Sequence, residues 1–322
     1  MACARITTFF SLLFVAGVAG LGCRLPASSR PRVLLPVPPD VAAVVAYTPV
    51  SFEGCVVSNL ESNARYSIQR IEMQAAANHV WTNRTLLIDY YRPAGKQRTP
   101  LVLVLPIIGG GYPLERHFCA YFARHGMAAA LVRRDRLRTP DKLEQIDGML
   151  RQAAVDSRQA LDWAGTRPEL DTNRMGIFGI SMGGIRGAFL TPLDPRIRAS
   201  VVGLAGGDMP HIISYSCEPG LTRRRNAYLK KNHLTLPEFR EGLKPVMTCD
   251  PLKVAGCVDP SKVLMVLAAC DTAVPTKKGF ELRRAMGKPA TIVVPTGHYT
   301  AILLLPYIRS ACLRFLREKL GE

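Results

Sequence analysis

Two rhythms of apolar and polar positions run along this chain. Residues 100–106 (PLVLVLP), 127–134 (MAAALVRR), 174–180 (RMGIFGI), 198–206 (RASVVGLAG), 262–270 (KVLMVLAAC) and 290–295 (ATIVVP) are short and almost continuously apolar, the pattern of strands buried on both faces. Residues 66–74 and 85–93 read as two earlier strands, joined by a polar turn around Asn83. Helices are predicted at about 113–125, closed by Gly126, and at 142–164, where Ile146, Met149, Ala153, Ala160 and Trp163 fall near one face. Two more are predicted at 182–190 and at 299–319. Strands alternating with helices predict an α/β fold, a mainly parallel central sheet with helices on both faces.

The rhythm lapses in two places. Residues 207–260 hold basic helical pieces and no clear buried strand, the mark of a functional insertion such as a lid. The core is then expected at 61–206 and 261–322. Residues 24–60 open with a proline-rich run to about 49, which removes backbone donors, blocks helix and reads as an extended tether. Before it, residues 1–23 carry one early charge, Arg5, then an uncharged and mostly apolar run, the pattern of a signal peptide. Its end, GLGC at 20–23, resembles the lipobox of bacterial lipoproteins, although Gly20 stands where that family prefers Leu. The resemblance implies export, diacylation of Cys23 and a place at the membrane surface of the cell envelope. Plain secretion and an uncleaved anchor are the alternatives.

Charge narrows the partners. Of the 322 residues, 42 are Lys or Arg and 25 are Asp or Glu, a formal charge of +17. The basic residues form no stripe interleaved with aromatics, so a solvated basic face is expected and nucleic acid is not. The densest cluster, Arg223, Arg224, Arg225, Lys230 and Lys231, lies in the insertion. It would favour negatively charged substrates or an anionic membrane. The nine cysteines include no CxxC pair, which argues against a zinc ribbon or a thioredoxin-like site. In an exported chain Cys217, Cys249 and Cys257 are the disulfide candidates, Cys249–Cys257 first. Cys119, Cys270 and Cys312 sit in apolar runs and are expected to pack as small hydrophobes.

The candidate chemistry begins at GIFGISMGGI, 176–185, where Gly179-Ile180-Ser181-Met182-Gly183 fits G-x-S-x-G between a predicted strand and a predicted helix. A nucleophile on so sharp a turn has a strained backbone, and glycines two residues either side remove the collisions a side chain would make. Ser181 needs a base. Of six histidines, His298 follows the last predicted strand, at the sheet edge where Ser181 must lie, whereas His79, His117, His125, His211 and His233 lie in earlier or insertion segments. Asp271, at the end of the 262–270 strand, is the favoured third group, with Asp208 its rival. Oxyanion donors are expected from the backbone N–H of Met182 and, in the IIGGG loop at 107–111, of Ile108, with Ile107 close behind. No Gly-Lys-Ser/Thr follows those glycines, which disfavours a phosphate-cradling loop.

With these pieces (LVLVLPIIGGG, GIFGISMGG, VLMVLAACDTAVP and PTGHYTAILLLPYI) the chain resembles the α/β-hydrolase superfamily, its bacterial dienelactone-hydrolase-like and acyl-esterase branches, over about residues 65–320. The resemblance implies a serine hydrolase acting on a small-molecule carboxylic ester through an acyl-enzyme, with no metal or organic cofactor. Two departures stand out. The oxyanion loop has Pro106-Ile107 where lipases and esterases commonly have His-Gly, and Ser181 stands where dienelactone hydrolases use Cys. Thioesterase, peptidase or acyltransferase chemistry on the same triad, or a non-catalytic envelope module on the same fold, are the other readings.

Overall fold

The computed structural model describes residues 22–29, 32–77, 84–95, 98–109, 111–134 and 140–321. The leader up to residue 21, the turn at Asn83 and His79 lie outside the described residues. The apolar runs form one sheet whose strands are β1 (Cys23–Leu25), β2 (Val56–Ser62), β3 (Tyr66–Gln74), β4 (Thr85–Pro93), β5 (Thr99–Leu105), β6 (Ala128–Val132), β7 (Leu170–Ile180), β8 (Ile197–Gly203), β9 (Val263–Ala268) and β10 (Ala290–Val294). Their spatial order is β1-β10-β9-β8-β7-β5-β6-β4-β3-β2. The block from β10 to β6 is parallel throughout, while β4, β3, β2 and β1 join antiparallel at the edges.

The parallel block is apolar on both faces because both are covered. In β5, Val102 and Val104 belong to the apolar cluster on one face of the sheet, and Leu101, Leu103 and Leu105 to the cluster on the other. The first face carries α2 (Pro113–Arg124, after a short α1 at Pro39–Val44) and the C-terminal helix, the second α3 (Glu144–Gly165) and α4 (Met182–Leu190). Phe178 of β7 shows the closeness of this packing, with its ring centroid 4.1 Å from that of Phe118 and 5.4 Å from that of Phe122. Aromatic pairs of this kind contribute about 0.5–1.5 kcal/mol each beyond their area.

Residues 207–260 contain α5 (Met209–Tyr215), α6 (Pro219–Asn232), α7 (Leu236–Val246) and α8 (Pro251–Val254) and no described strand. Ile212, Ile213, Tyr228, Phe239 and Leu243 from these helices form a third apolar cluster with Val202 of β8 and Met265 of β9. After β9 come α9 (Thr276–Ala285) and, past β10, α10 (Leu305–Leu320). The last helix was expected from 299; residues 300–304 are instead a 3₁₀ turn, and the α-helix starts at Leu305 with Pro306 in its first turn, where the missing N–H costs nothing.

The proline-rich segment differs from the expected tether. It is strapped across the body: β1 pairs with β10, Leu35 N–H donates to Gly256 O at 3.1 Å, and Val41 and Val45 are buried in the core. Proline blocks regular helix here but leaves an extended backbone free to dock, and Val41 and Val45 supply the apolar contact. The expected Cys249–Cys257 pair is also absent, and both thiols are free. Cys249 is buried in the core, while Cys257 Sγ–H donates to Pro36 O at 3.3 Å. Cys270 is exposed, contrary to the apolar packing expected of it, because it lies just past the end of β9. No helix among the described residues is long and apolar enough to cross a membrane.

Candidate active site

The chain leaves β5 toward β6 on one side, while β7 lies on the other, so a crevice opens beyond the carboxyl ends of β5 and β7. Ser181 follows β7 directly. Its φ of 56° and ψ of −124° are strained for a residue with a side chain, and its own N–H is fixed by Gly203 O at 2.8 Å. The flanking glycines are obligatory. A Cβ on Gly179 would lie 2.2 Å from Gly183 O, and a Cβ on Gly183 2.1 Å from Leu105 O. The second close approach also brings the start of α4 against the end of β5.

Ser181 Oγ–H donates to His298 Nε2 at 2.9 Å, and His298 Nδ1–H donates to Asp271 Oδ2 at 2.7 Å. A carboxylate only accepts, so Asp271 fixes the tautomer that leaves Nε2 free to accept. Asp271 is held in turn: its Oδ1 accepts the N–H groups of Ala273 and Val274 at 2.9 and 2.8 Å. Its backbone N–H donates at 3.0 Å to Thr276 Oγ1, whose hydroxyl donates to Ala268 O at 2.8 Å. The rival Asp208 is engaged elsewhere. It caps α5 through His211 N–H and pairs with Lys278 Nζ at 2.8 Å.

The two candidate oxyanion donors have different surroundings from their neighbour. Ile107 N–H is taken by Glu115 Oε1 at 2.7 Å. Ile108 N–H has no acceptor among the described residues, and Met182 N–H, at the first position of α4, has none within its helix. Arg134 clamps the same loop from the other side: Nε donates to Ile107 O at 3.2 Å, and Nη2 to Ile108 O and Gly109 O. Glu115 and Arg134 therefore fix the peptide plane that aims Ile108 N–H.

No protein-family profile and no curated protein matches this chain. Solved structures do. An acetyl xylan esterase from a Paenibacillus species shares 20% identity over 87% of this chain and 92% of its own, at a TM-score of 0.67. An acetyl xylan esterase from a Thermoanaerobacterium species shares 15% over 89% and 95%, at 0.64. An acylaminoacyl peptidase from Pyrococcus horikoshii shares 14% over 80% of this chain and 42% of its own, at 0.58. This chain has the α/β-hydrolase fold.

Two cavities flank the loop and elbow of this α/β-hydrolase fold. One, of about 380 Å³, contains Ser181 and His298 and descends between Phe178, Val201 and Val266 of the sheet and Ile308 and Cys312 of α10. The other, of about 550 Å³, begins at Ile108 and Met182 and extends under the insertion helices. Among the described residues five arginines line it, Arg84, Arg134, Arg186, Arg224 and Arg225, against one carboxylate, Asp156. Burial, then repulsion from Arg134, pushes the Arg186 guanidinium down to about 10, which leaves it cationic at neutral pH.

Glu115, Arg134, Arg186 and Thr276 were not singled out in the sequence. Arg186 did carry a signal: it is the only charge in the apolar elbow helix MGGIRGAFL. Glu115 reads as an ordinary first-turn acid of α2, and Arg134 and Thr276 carry no pattern of their own. Of the other histidines, His125 Nδ1 lies 2.7 Å from Tyr121 O, His117 Nε2 lies 3.3 Å from Arg309, and His233 ends α6 in the left-handed region. Among the described residues no group of three His, Cys, Asp or Glu could hold a metal.

Proposed function

We propose that this chain is a serine hydrolase that cleaves a carboxylic ester through an acyl-enzyme. The observation that carries the reading is the unbroken hydrogen-bonded line from Ser181 Oγ through His298 to Asp271, on a turn with φ of 56°. His298 Nε2 takes the Ser181 proton as Oγ bonds to the ester carbonyl carbon. The carbonyl oxygen becomes an oxyanion beside the N–H groups of Ile108 and Met182, each such donor typically lowering the barrier by about 3–4 kcal/mol. The C–O bond then breaks, and His298 returns the proton to the leaving alkoxide. Water, deprotonated by His298, repeats the attack on the acyl-enzyme and releases the acid and Ser181. Two of the structural neighbours are acetyl xylan esterases, which supports an ester as the bond cleaved. The apolar cavity at Ser181 would receive one side of that ester.

The test is Ser181→Ala. It is expected to lower turnover of p-nitrophenyl esters by about 10⁴-fold or more and to abolish labelling by a fluorophosphonate probe. Labelling retained by that variant would remove Ser181 from the role of nucleophile. We propose further, on the pattern of residues 1–23, that the protein is exported and lipidated at Cys23. Incorporation of labelled palmitate that survives Cys23→Ser would rule that out.

A further inference from the structure

Arg186 sits in the middle of α4, one turn beyond the elbow, and is 6% exposed. Its Nε is fully buried without a hydrogen-bond partner, and the side chain makes no hydrogen bond or ion pair with any described residue. A buried cation without a partner is costly and rare, and in native proteins it marks a missing counter-charge. The nearby carboxylates Asp156 and Glu115 act on it through space, but neither forms an ion pair with it. Asp156, the carboxylate of the cavity wall, has both oxygens at 3.2 Å from Arg84 and also accepts from Gln152 at 2.7 Å. Arg134 is committed to the carbonyls of residues 107–109, and Arg225 donates to Ser216 O at 3.0 Å. Among the described residues the cavity wall therefore carries more positive than negative charge, and it is shared with both candidate oxyanion donors.

We propose that this cavity binds an anionic oxygen group of the substrate, a carboxylate or a phosphate, with the Arg186 guanidinium as its buried partner. The inference rests on the ester-hydrolase reading and adds the substrate class to it. An ester with its carbonyl carbon at Ser181 Oγ and its oxygen toward Ile108 and Met182 spans both cavities. One half lies in the apolar cavity. The other passes α4 and carries its anionic end to Arg186, with Arg224 of α6 reaching the cavity from above. The planar guanidinium fork suits bidentate contact with carboxylate or phosphate oxygens. Ile146, Met149, Ile213 and Phe239 in the same wall leave the middle of that half apolar. The chemistry expected is a monoester of a dicarboxylic acid, or an ester whose alcohol carries an acidic group.

The experiment compares matched esters: mono-p-nitrophenyl glutarate with p-nitrophenyl valerate, and 3-acetoxybenzoate with phenyl acetate. The anion is on the acyl side in the first pair and on the alcohol side in the second. The wild type is expected to prefer the anionic member of one pair by at least tenfold in kcat/KM once each ester's spontaneous hydrolysis is subtracted, which in the glutarate monoester is accelerated by attack of the pendant carboxylate on its own ester carbonyl. Arg186→Met should bring that preference to within about threefold of unity, and Arg223→Met, an exposed arginine outside the cavity, should keep it. Calorimetric titration of the wild type with glutarate and with inorganic phosphate separates the two anion sources and needs no turnover. Binding of either that is lost in Arg186→Met supports the site even if no ester is cleaved. Efficient hydrolysis of neutral esters with ratios near one in both pairs, and no anion binding, overturns this inference while leaving the hydrolase reading intact. Absence of ester turnover and of fluorophosphonate labelling defeats the hydrolase reading instead. Should Arg186→Met fail to fold, the wild-type ratios and titrations decide.

Discussion

The apolar cavity and the arginine-lined cavity share Ile108 in their walls and little else. The first is cut into the sheet: Phe178, Val201 and Val266 belong to consecutive neighbours β7, β8 and β9, and each is nearly or fully buried. Its chemistry is that of the core, continued to the surface at Ser181. The second is assembled from α3, α4, α5, α6 and α7, the residue before β4, and the segments after β5 and β6. The sheet supplies shape to one and holds Ser181 at its edge; the helices supply charge to the other. On the proposed reading such a division would keep the reacting centre rigid while elements outside the sheet set substrate choice.

The largest perturbation should leave that division standing. Asp271→Asn removes an acceptor-only partner of His298 and lets the amide donate to Nδ1, which stabilises the tautomer with the proton on Nε2. Turnover of every ester is expected to fall by about 10⁴-fold. The ratios between long and short, and between charged and neutral esters, should stay within about threefold of wild type, because neither cavity is touched. Steady-state kinetics on one ester panel read both quantities. A loss below tenfold would mean that Asp271 does not orient the imidazole, and a large loss that also alters the ratios would mean that the two cavities depend on His298 being held.

The parts of this site differ in how far the sequence exposes them. The elbow is readable because Gly179 and Gly183 answer a local steric demand, and the demand is met within five residues. His298 and Asp271 are readable because strand ends in a parallel sheet gather at one edge, so position along the chain implies proximity. The expected strands at 66–74 and 85–93 coincide with β3 and β4 for the same reason, a pattern repeated within one element. The docking of residues 24–60 depends on a surface built by β10, α3 and residues 255–257, which no local pattern announces. β2 leaves no rhythm in the sequence because all seven of its residues are exposed and it has no buried face. The arginine cavity is the extreme case. Arg84, Arg134, Arg186 and Arg224 are far apart in sequence, and only the isolation of Arg186 in an apolar helix hinted at a purpose.

The middle-sized effect is the loss of charge preference in Arg186→Met, ten- to a hundredfold, in keeping with about 1.5–3 kcal/mol for a hydrogen bond to a charged group. It sharpens the comparison because it should act on one cavity alone: the dependence on apolar chain length, read with neutral esters, should keep its shape. A change in that dependence as large as the change in charge preference would show that the two cavities are one continuous groove.

The smallest effect tests the opposite side. Ala301 is buried in the 3₁₀ turn at 300–304 and lines the apolar cavity next to His298. Ala301→Leu adds three carbons to that wall without adding charge. Burial of a methylene contributes about 0.8 kcal/mol, so displacing two of them from the cavity costs an ester about tenfold in kcat/KM. The preferred chain should therefore shorten by about two methylenes in one of two homologous series, p-nitrophenyl esters of growing acyl length or acetates of growing alcohol length. Whichever series responds identifies the half of the ester that lies in the sheet, and the anionic pair that prefers Arg186 must then be the other one. If the same half responds to both substitutions, the substrate does not straddle the elbow, and the two cavities cannot be filled by a single ester.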